Sequence, residues 1–193
     1  MGNFWSPLGY KYIMVMCDSF TKWEELRLLR TKTAEEVAET FLSAWILRHG
    51  YPRGIVTDQG LEFNNRIMNE VGRKFEIEHI RTTPYNPKAN GQCERANRTI
   101  IGYMQALTQD QPDDWAEWLE VVQLAYNSNI HSSTEYTPFF AVYGREMELP
   151  NTLRNNYVDE SPEANHHRIQ RTWNIIRRNL LKASAQYKVL LGI

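Results

Sequence analysis

The spacing of apolar residues along the chain predicts a series of short strands. Residues 12–17 form a continuous apolar run, which is typical of a strand that is covered on both faces. The next apolar segment, 23–29, alternates less regularly, and we expect it to be the hairpin partner or a neighbour of the first strand. Two further strands are predicted at 54–57 and 76–80, and the first of these ends directly before Asp58.

Helices are predicted between and after these strands. The first begins at Thr33, because Thr33 and Glu36 make the pattern of a capping box, and Gly50 and Pro52 stop it. Residues 82–92 are rich in Pro, Asn and Gly, which predicts a loop. Further helices are predicted over 65–75, 93–108 and 114–127, the last with one apolar face made of Trp115, Trp118, Leu119, Val122 and Tyr126. Thr137 and Pro138 open one more short helix, because proline is tolerated at the first helical position, and Gly144 closes it.

The C-terminal part of the chain has the pattern of a basic amphipathic helix. Residues 151–164 are polar and acidic, which predicts a linker, and a helix is expected over 168–187. Its apolar residues recur at alternating steps of four and three: Ile169, Trp173, Ile176, Leu180, Ala183 and Tyr187. This is heptad spacing over fewer than three heptads, so a coiled coil is one interpretation among others.

Composition restricts the class of protein. The chain has 193 residues with 42% hydrophobic and 23% charged, which is typical of one globular domain with a core and an appendage. Its formal net charge is −1, so any binding to a polyanion must use a local basic patch. Cys17 and Cys93 are the only cysteines, which favours a reducing compartment. No apolar run approaches the length of a membrane span, so we expect a soluble protein.

The order of the elements predicts an α/β fold. Strands come first, and helices and strands then alternate, which indicates a central mixed β-sheet flanked by helices, with a C-terminal helical extension. We expect a core over residues 3–150, a linker over 151–164 and the C-terminal helix over 165–190. In open α/β sheets, the chemistry gathers beyond the carboxyl ends of the strands, which is where Asp58 is expected.

Two carboxylates have the setting of a divalent-metal site. Asp58 follows an apolar strand, and Glu94 is expected to open the helix over 93–108. Each residue alone is explained by ordinary roles, since Asp forms turns and acidic residues favour helix N-termini. Their flanks favour chemistry, because Glu94, Asn97 and Arg98 share one helix face. Carboxylates suit Mg²⁺ or Mn²⁺, and a pair of such ions activates water or a 3′-hydroxyl for phosphodiester chemistry.

Several segments together resemble the catalytic core of an integrase from a gypsy-type long-terminal-repeat retrotransposon. The matching segments run in order over residues 3–150: CDSFTKW (17–23), VTDQGLEF (56–63), RTTPYNP (81–87), GQCERANR (91–98), LAYN (124–127) and TPF (137–139). The resemblance implies an RNase-H-like fold and an Asp, Asp, Glu triad that uses two divalent metals. It also implies that the protein trims the ends of element DNA and joins them to target DNA.

The resemblance assigns Asp58 as the second acid and Glu94 as the third. Asn3 falls where the family has its first Asp, and Asp18 corresponds to a non-catalytic Asp of the family. Either the acid was lost in a degenerate or domesticated copy, or the chain starts late and its first residues fit by chance. An amide has no negative charge with which to hold two dications, so we expect impaired strand transfer.

Partners also follow from the resemblance. The basic residues around the loop over 82–92 form either a DNA contact or a solvated basic rim, and the resemblance favours the DNA contact. With the helix face of Glu94, the candidate DNA-binding residues are Arg81, Tyr85, Lys88, Asn97 and Arg98. The resemblance further implies a homodimer or higher multimer and a nuclear location. The C-terminal helix has three uses open to it, namely packing on the core, pairing with a second copy or contacting DNA. We expect packing or self-association, because its large apolar side chains should not remain in water.

Two rival interpretations remain open. The first is a non-enzymatic, domesticated protein that keeps the domain for dimerisation or for binding a partner or DNA, which Asn3 and the near-neutral charge favour. The second is an RNase-H-type nuclease with a similar acidic site. The loop over 82–92 and the helix after it fit an integrase better than a nuclease.

Overall fold

The computed structural model describes residues 8–57, 72–73, 76–81, 87–108, 112–148 and 162–190. The chain divides into two compact units: Met1–Met16 with Glu25–Gln123, and Cys17–Glu24 with Leu124–Ile193. Of the helix predicted over 65–75, only Gly72 and Arg73 are described, and both are helical. The predicted linker lies outside the described residues up to position 161.

The first two strands form a hairpin, as the apolar pattern predicts. Strand β1 (Tyr12–Cys17) pairs with β2 (Glu24–Leu29) in a two-stranded sheet. The strands are antiparallel, because the N–H of Lys11 donates to the carbonyl of Leu29, whereas the N–H of Asp18 donates to Trp23. The Asp18 carboxylate closes the turn by accepting hydrogen bonds from the N–H and the hydroxyl of Thr21, at 2.7 and 2.6 Å.

The first helix has the predicted cap, with one difference. Helix α1 (Ala34–Phe41) begins after Thr33, whose hydroxyl accepts a hydrogen bond from the Glu36 N–H. The Glu36 carboxylate does not return to Thr33 as in a capping box; it accepts from the N–H groups of Arg30 and Thr31. Burial alone would raise the pKa of Glu36. A hydrogen bond from the Thr31 hydroxyl, the two backbone hydrogen bonds and the positive charge of Arg30 together lower it.

The helix continues and then stops at the predicted glycine. A π-helical segment (Leu42–Ile46) and the short α2 (Leu47–His49) follow α1, and Gly50 ends them with φ of 84°. The buried side of these helices packs against β1, β2 and Ile77 in the main hydrophobic cluster of the first unit. Its members are Met14, Met16, Leu29, Val37, Ala38, Phe41, Ala44, Ile46 and Ile77.

A parallel strand pair lies in the same unit. Strands β3 (Gly54–Thr57) and β4 (Glu78–Arg81) pair in register from Gly54 opposite Glu78 to Thr57 opposite Arg81. Antiparallel and parallel pairings therefore both occur, as a mixed sheet requires. In the described residues they are two separate two-stranded sheets.

The next helix begins earlier than predicted. Helix α3 (Pro87–Leu107) includes six residues that the Pro, Asn and Gly content of 82–92 assigned to a loop, and that part of the prediction is wrong. Proline is favoured at the first helical position, because its fixed φ suits a helix and its missing N–H is not needed there. Ala96, Ile100 and Met104 form the buried side of α3.

The predicted helix over 114–127 consists of two segments. A 3₁₀ segment (Pro112–Trp118) leads into α4 (Leu119–Ser128). Trp115, Leu119, Val122 and Tyr126 are buried as predicted, whereas Trp118 is partly exposed.

Two amide side chains of α4 bond to the backbone of β2. Gln123 accepts a hydrogen bond from the Leu26 N–H at 2.8 Å within the first unit. In the second unit Asn127 accepts from the Glu24 N–H at 3.0 Å and donates to the Glu24 carbonyl at 2.9 Å. These side chains satisfy backbone groups that β1 leaves unpaired.

The last two helices pack together in the second unit. Helix α5 (Pro138–Tyr143) has the predicted Thr137 cap and ends at Gly144, with φ of 70°. Helix α6 (Pro162–Leu190) starts six residues before the predicted Arg168 and contacts α5.

The buried side of α6 differs from the apolar side that the sequence predicts. Ile176 is fully buried, but Trp173 is 41% exposed, and the polar residues Thr172 and Asn179 are buried in addition. The apolar residues at heptad spacing therefore include only part of the buried face of α6.

Candidate functional site

The structure describes the side chains of three of the predicted site residues. Glu94, Asn97 and Arg98 lie on α3, and all three have described side chains. Arg81 ends β4 and Lys88 lies in the first turn of α3, with only their backbones described. Asn3, Asp58 and Tyr85 lie outside the described residues.

The elements that carry the two predicted acids are neighbours. Strand β3 ends at Thr57, the residue directly before Asp58, and helix α3, which carries Glu94, contacts β3 within the first unit. The parallel register sets Arg81 opposite Thr57, so β3 and β4 end at the same edge. The described backbone thus has the arrangement in which α/β folds collect functional groups beyond strand ends.

One face of α3 is presented to solvent. Glu94, Arg98 and Ile101 are exposed, and Asn97 is half-buried between them, so these residues share a face as predicted. The Oδ1 atom of Asn97 is buried and accepts no hydrogen bond from any residue that the structure describes. Buried amide oxygens normally have a partner, so this oxygen is available to a donor, a water or a cation.

The early start of α3 changes the explanation for Glu94. The sequence places Glu94 in a first helical turn, where a carboxylate is explained by the helix dipole, but the helix begins at Pro87 and Glu94 lies seven residues later. The dipole effect falls off within the first turn. The helix dipole therefore does not explain Glu94, which is an exposed carboxylate on the helix surface and is accessible to a metal ion.

The donor set of this face fits a hard divalent cation. The Glu94 carboxylate and the Asn97 amide oxygen are one helical turn apart, and oxygen ligands suit Mg²⁺ and Mn²⁺. In the part of the chain that the structure describes, no three His, Cys, Asp or Glu side chains are grouped around a possible metal position. A second carboxylate for such an ion is available in the sequence, because Asp58 is the residue directly after the neighbouring strand.

Sequence reasoning missed a buried carboxylate in β2. Glu24 is fully buried, and among the described residues neither of its carboxylate oxygens has a conventional hydrogen-bond partner. Burial raises the pKa of Glu24 to about 8, which the Cys17 thiol and the Lys22 charge only partly oppose. A strand with one covered face buries every second residue, so the sequence pattern does not predict that the adjacent Glu24 and Glu25 are both buried.

The neighbouring residue Glu25 is buried with partners. Its carboxylate lies 2.7 Å from the Arg27 guanidinium and 3.0 Å from the His49 ring, and it accepts a hydrogen bond from Gln123 at 3.3 Å. All four residues belong to the first unit. Glu25 is therefore a structural carboxylate that links β2 to His49 at the end of α2. The sequence pattern of β2 contains no signal for this role beyond the Glu25–Arg27 spacing.

A family comparison supports the resemblance. Residues 2–87 match the family model described as "Integrase core domain". The Transposon Tf2-3 polyprotein of Schizosaccharomyces pombe is 29% identical over 163 residues, and the alignment covers 84% of this chain but 12% of that polyprotein. The chain thus spans about an eighth of the length of the curated relatives that it matches.

Solved structures support the fold. A chain of the simian T-cell lymphotropic virus intasome, in complex with PP2A regulatory subunit B56 gamma, aligns with a TM-score of 0.61 and 23% identity. That alignment covers 77% of this chain and 53% of the viral chain. The HTLV-2 integrase catalytic core domain, in complex with magnesium and in a trimeric form, aligns with a TM-score of 0.57 and 23% identity, covering 70% and 87%.

The comparisons confirm two predictions. The resemblance to integrase catalytic cores of the retrotransposon type is confirmed, and so is the RNase-H-like α/β fold. Among the described residues, no helix combines the length and the apolar character that crossing a membrane requires.

Proposed function

We propose that this chain, which carries an integrase core domain of the retroviral and retrotransposon type, binds DNA ends through the site at Asp58 and Glu94. The observation that supports this most is the packing of α3 against β3. It brings the strand directly before Asp58 next to the helix that carries Glu94 on its exposed face. In this proposal both carboxylates are ligands of divalent metal, either Mg²⁺ or Mn²⁺.

The chemistry of the site follows from its residues. Two bound dications would supply an activated water or 3′-hydroxyl and would neutralise charge on the leaving oxygen. Glu94 would hold metal at the exposed face of α3, and Asn97 would offer its unpartnered amide oxygen beside it. Arg98, one position further, would pair with a DNA phosphate, because a guanidinium binds phosphate through two parallel hydrogen bonds. Arg81, Tyr85 and Lys88 are the further DNA contacts of this proposal.

The first acid of the family's triad falls at Asn3, and we propose that this impairs strand transfer. An amide coordinates through a neutral carbonyl oxygen, whereas a carboxylate contributes a negative charge that offsets the repulsion between two dications. Losing one metal removes several kcal/mol of transition-state stabilisation, and each ~1.4 kcal/mol is about tenfold in rate.

The same proposal includes the organisation of the protein. Residues 3–150 would form the catalytic core, 151–164 a linker and 165–190 a C-terminal helix. The core would act in the nucleus as a homodimer or a higher multimer. The trimeric form of the HTLV-2 core and the intasome of the simian virus are assemblies of related folds that support a multimer.

A strand-transfer assay tests the proposal. A short labelled blunt-ended DNA duplex is incubated with the purified chain and Mn²⁺, and joined products are separated on a denaturing gel. We expect little product from the parent chain and at least a tenfold increase from Asn3→Asp. Asp58→Asn or Glu94→Gln, each added to Asn3→Asp, should abolish that product, while Glu39→Gln, an exposed carboxylate on α1, should not.

The possible outcomes separate the candidate functions. Robust joining by the parent chain would show that Asn3 does not impair it. The domesticated, non-enzymatic alternative would be favoured by two results together. Asn3→Asp would give no more joined product than the parent chain, and DNA binding would be unchanged in Asn3→Asp, Asp58→Asn and Glu94→Gln. The residue that supports this alternative is Asn3 itself.

A further inference from the structure

Positive charge is concentrated at the C-terminal end of the chain. Residues 164–193 contain no Asp or Glu and contain six Lys or Arg residues, although the whole chain has 22 basic and 23 acidic residues. Residues 1–163 therefore carry a formal net charge of −7, and the C-terminal part carries +6. Most of that C-terminal part is helix α6.

The packing of α6 in the second unit determines which side faces solvent. Ile176, Thr172 and Asn179 are buried. The Trp173 indole N–H donates to the carbonyl of Ala141 at 2.8 Å, and the Asn179 amide donates to the carbonyl of Thr134 at 2.9 Å. These contacts fix the rotation of the helix about its axis within that unit.

A row of cationic side chains lies on the solvent side of α6. We call Arg171, Arg178 and Lys182 the basic row; all three are exposed. They are seven and four positions apart, so they lie on one side of the helix, and their Cα atoms span about 16 Å along its axis. Among the described residues, none of the three has an ion-pair partner.

The basic row is not balanced within its own helix. Arg178 and Lys182 are neighbours on the helix surface, where like charges repel. Since no acidic residue occurs after Glu163, no position along the exposed side can offset this repulsion. A surface helix is usually stabilised by alternating charges, so an unbalanced row indicates an anion from outside the helix.

We propose that the basic row binds the phosphate backbone of double-stranded DNA without sequence preference. Most of the exposed cations of α6 are arginines, whose planar guanidinium matches phosphate. A protein partner would need an apolar centre. Among the described residues of α6 between His166 and Ala185, two large apolar side chains are exposed, Trp173 and Leu181, and helical spacing places only Leu181 near the basic row. The inference does not depend on the metal site of the proposed function.

Fluorescence anisotropy with a labelled duplex of random sequence tests this inference. Binding is measured in EDTA at several salt concentrations for the parent chain and for the combined variant Arg171→Ala, Arg178→Ala, Lys182→Ala. We expect the variant to bind at least tenfold more weakly at low salt. The slope of log K against log salt should become shallower by about 2–3, because each phosphate contact contributes about 0.9.

A matched control distinguishes the effect of the basic row on DNA binding from the effect of the net charge of the protein. The variant Lys32→Ala, Arg48→Ala, Arg53→Ala removes the same charge from exposed positions of the first unit, and it should retain the salt slope of the parent. Equal losses in both variants, or an unchanged slope in the row variant, would overturn the inference. A change in oligomeric state on sedimentation without a change in DNA binding would identify the row as a contact between copies and would also overturn it.

The result is distinguishable from failure of the proposed function. The basic row is assayed in EDTA, where no divalent cation occupies the proposed metal site, whereas the proposed function is assayed by joined product in Mn²⁺, so either can fail without the other. Circular dichroism of each variant checks that its helices are retained. A row variant that loses helicity is replaced by Arg171→Gln, Arg178→Gln, Lys182→Gln, for which the same loss of slope is expected.

Discussion

The fully buried carboxyl of Glu24 should make the stability of the protein depend on pH. Burial, only partly opposed by Cys17 and Lys22, raises the pKa of Glu24 from 4.5 to about 8. In the unfolded chain the carboxyl ionises near its ordinary value, so between these two pH values the folded state binds more protons. The free energy of unfolding must therefore fall as the pH rises through that window.

The size of this effect follows from the two pKa values. A difference between 4.5 and about 8 corresponds to about 5 kcal/mol when the whole window is crossed, of which about 3 kcal/mol falls between pH 5 and pH 7.5. Glu24→Gln has nearly the same shape and no ionisation. Its free energy of unfolding, relative to that of the parent, should therefore rise by about 3 kcal/mol over this range.

Urea unfolding followed by tryptophan fluorescence at a series of pH values measures this difference. Glu36→Gln is the control, because Glu36 is only half-buried and the pKa of its carboxyl is lowered, so it is ionised in both states over most of this range. Its effect on stability should not vary with pH. If the effect of Glu24→Gln is equally constant between pH 5 and pH 7.5, the reasoning about Glu24 is wrong.

Infrared spectroscopy gives a second measurement that needs no unfolding. The carbonyl band of a protonated carboxyl should be present in the folded parent at pH 7 and absent from Glu24→Gln. If Glu24→Gln does not fold, the same band should disappear from the parent as the pH rises past about 8.

Two further predictions concern stability. Asn127→Ala leaves the buried N–H and carbonyl of Glu24 unpaired, so it should lower the free energy of unfolding in urea by about 2–4 kcal/mol. The control Asn174→Ala, on the exposed side of α6, should change it by less than about 0.5 kcal/mol. Equal effects of the two substitutions would refute the role of Asn127. Gly50→Ala should destabilise by about 1–3 kcal/mol, because φ is 84° and ψ is −175° there, although no atom lies within 4 Å of the added Cβ. Gly102→Ala, inside α3 and equally uncrowded, should stabilise by about 0.5–1 kcal/mol, and effects of the same sign at the two glycines would contradict this account.

Local signals in the sequence predicted the parts of the fold that depend on local physics. Strand β1 has the bounds of its apolar run, and α5 has the predicted Thr137 cap and Gly144 stop. A proline and a glycine at these positions restrict the backbone directly, without help from distant residues.

The start of α3 could not be predicted from propensity. Pro87, Asn90 and Gly91 have the composition of a loop, yet they lie in the helix that buries Ala96, Ile100 and Met104. Tertiary packing of an apolar helix face routinely outweighs weak local preferences. The error also moved Glu94 into a first helical turn, and so it weakened the case for a functional carboxylate.

The buried polar residues depend on contacts between distant parts of the chain. Glu24 is enclosed together with Asn127, which is 103 residues later in the sequence, and Asn179 bonds to Thr134 across 45 residues. A strand or helix pattern assigns polar residues to the solvent side, and hydrogen-bond partners at this separation cannot be read from it. Of the candidate site, the shared face of Glu94, Asn97 and Arg98 was predictable because helical spacing alone determines it.

The most direct test of the account is whether Asp58 and Glu94 bind one divalent cation between them. Isothermal titration of the folded chain with Mn²⁺ measures this, with Asp58→Asn, Glu94→Gln and the control Glu39→Gln titrated in parallel. We predict that the parent and the control bind Mn²⁺ and that each of the other two variants loses this binding. Titration curves that are the same for all four proteins would contradict the metal site and, with it, the proposed function.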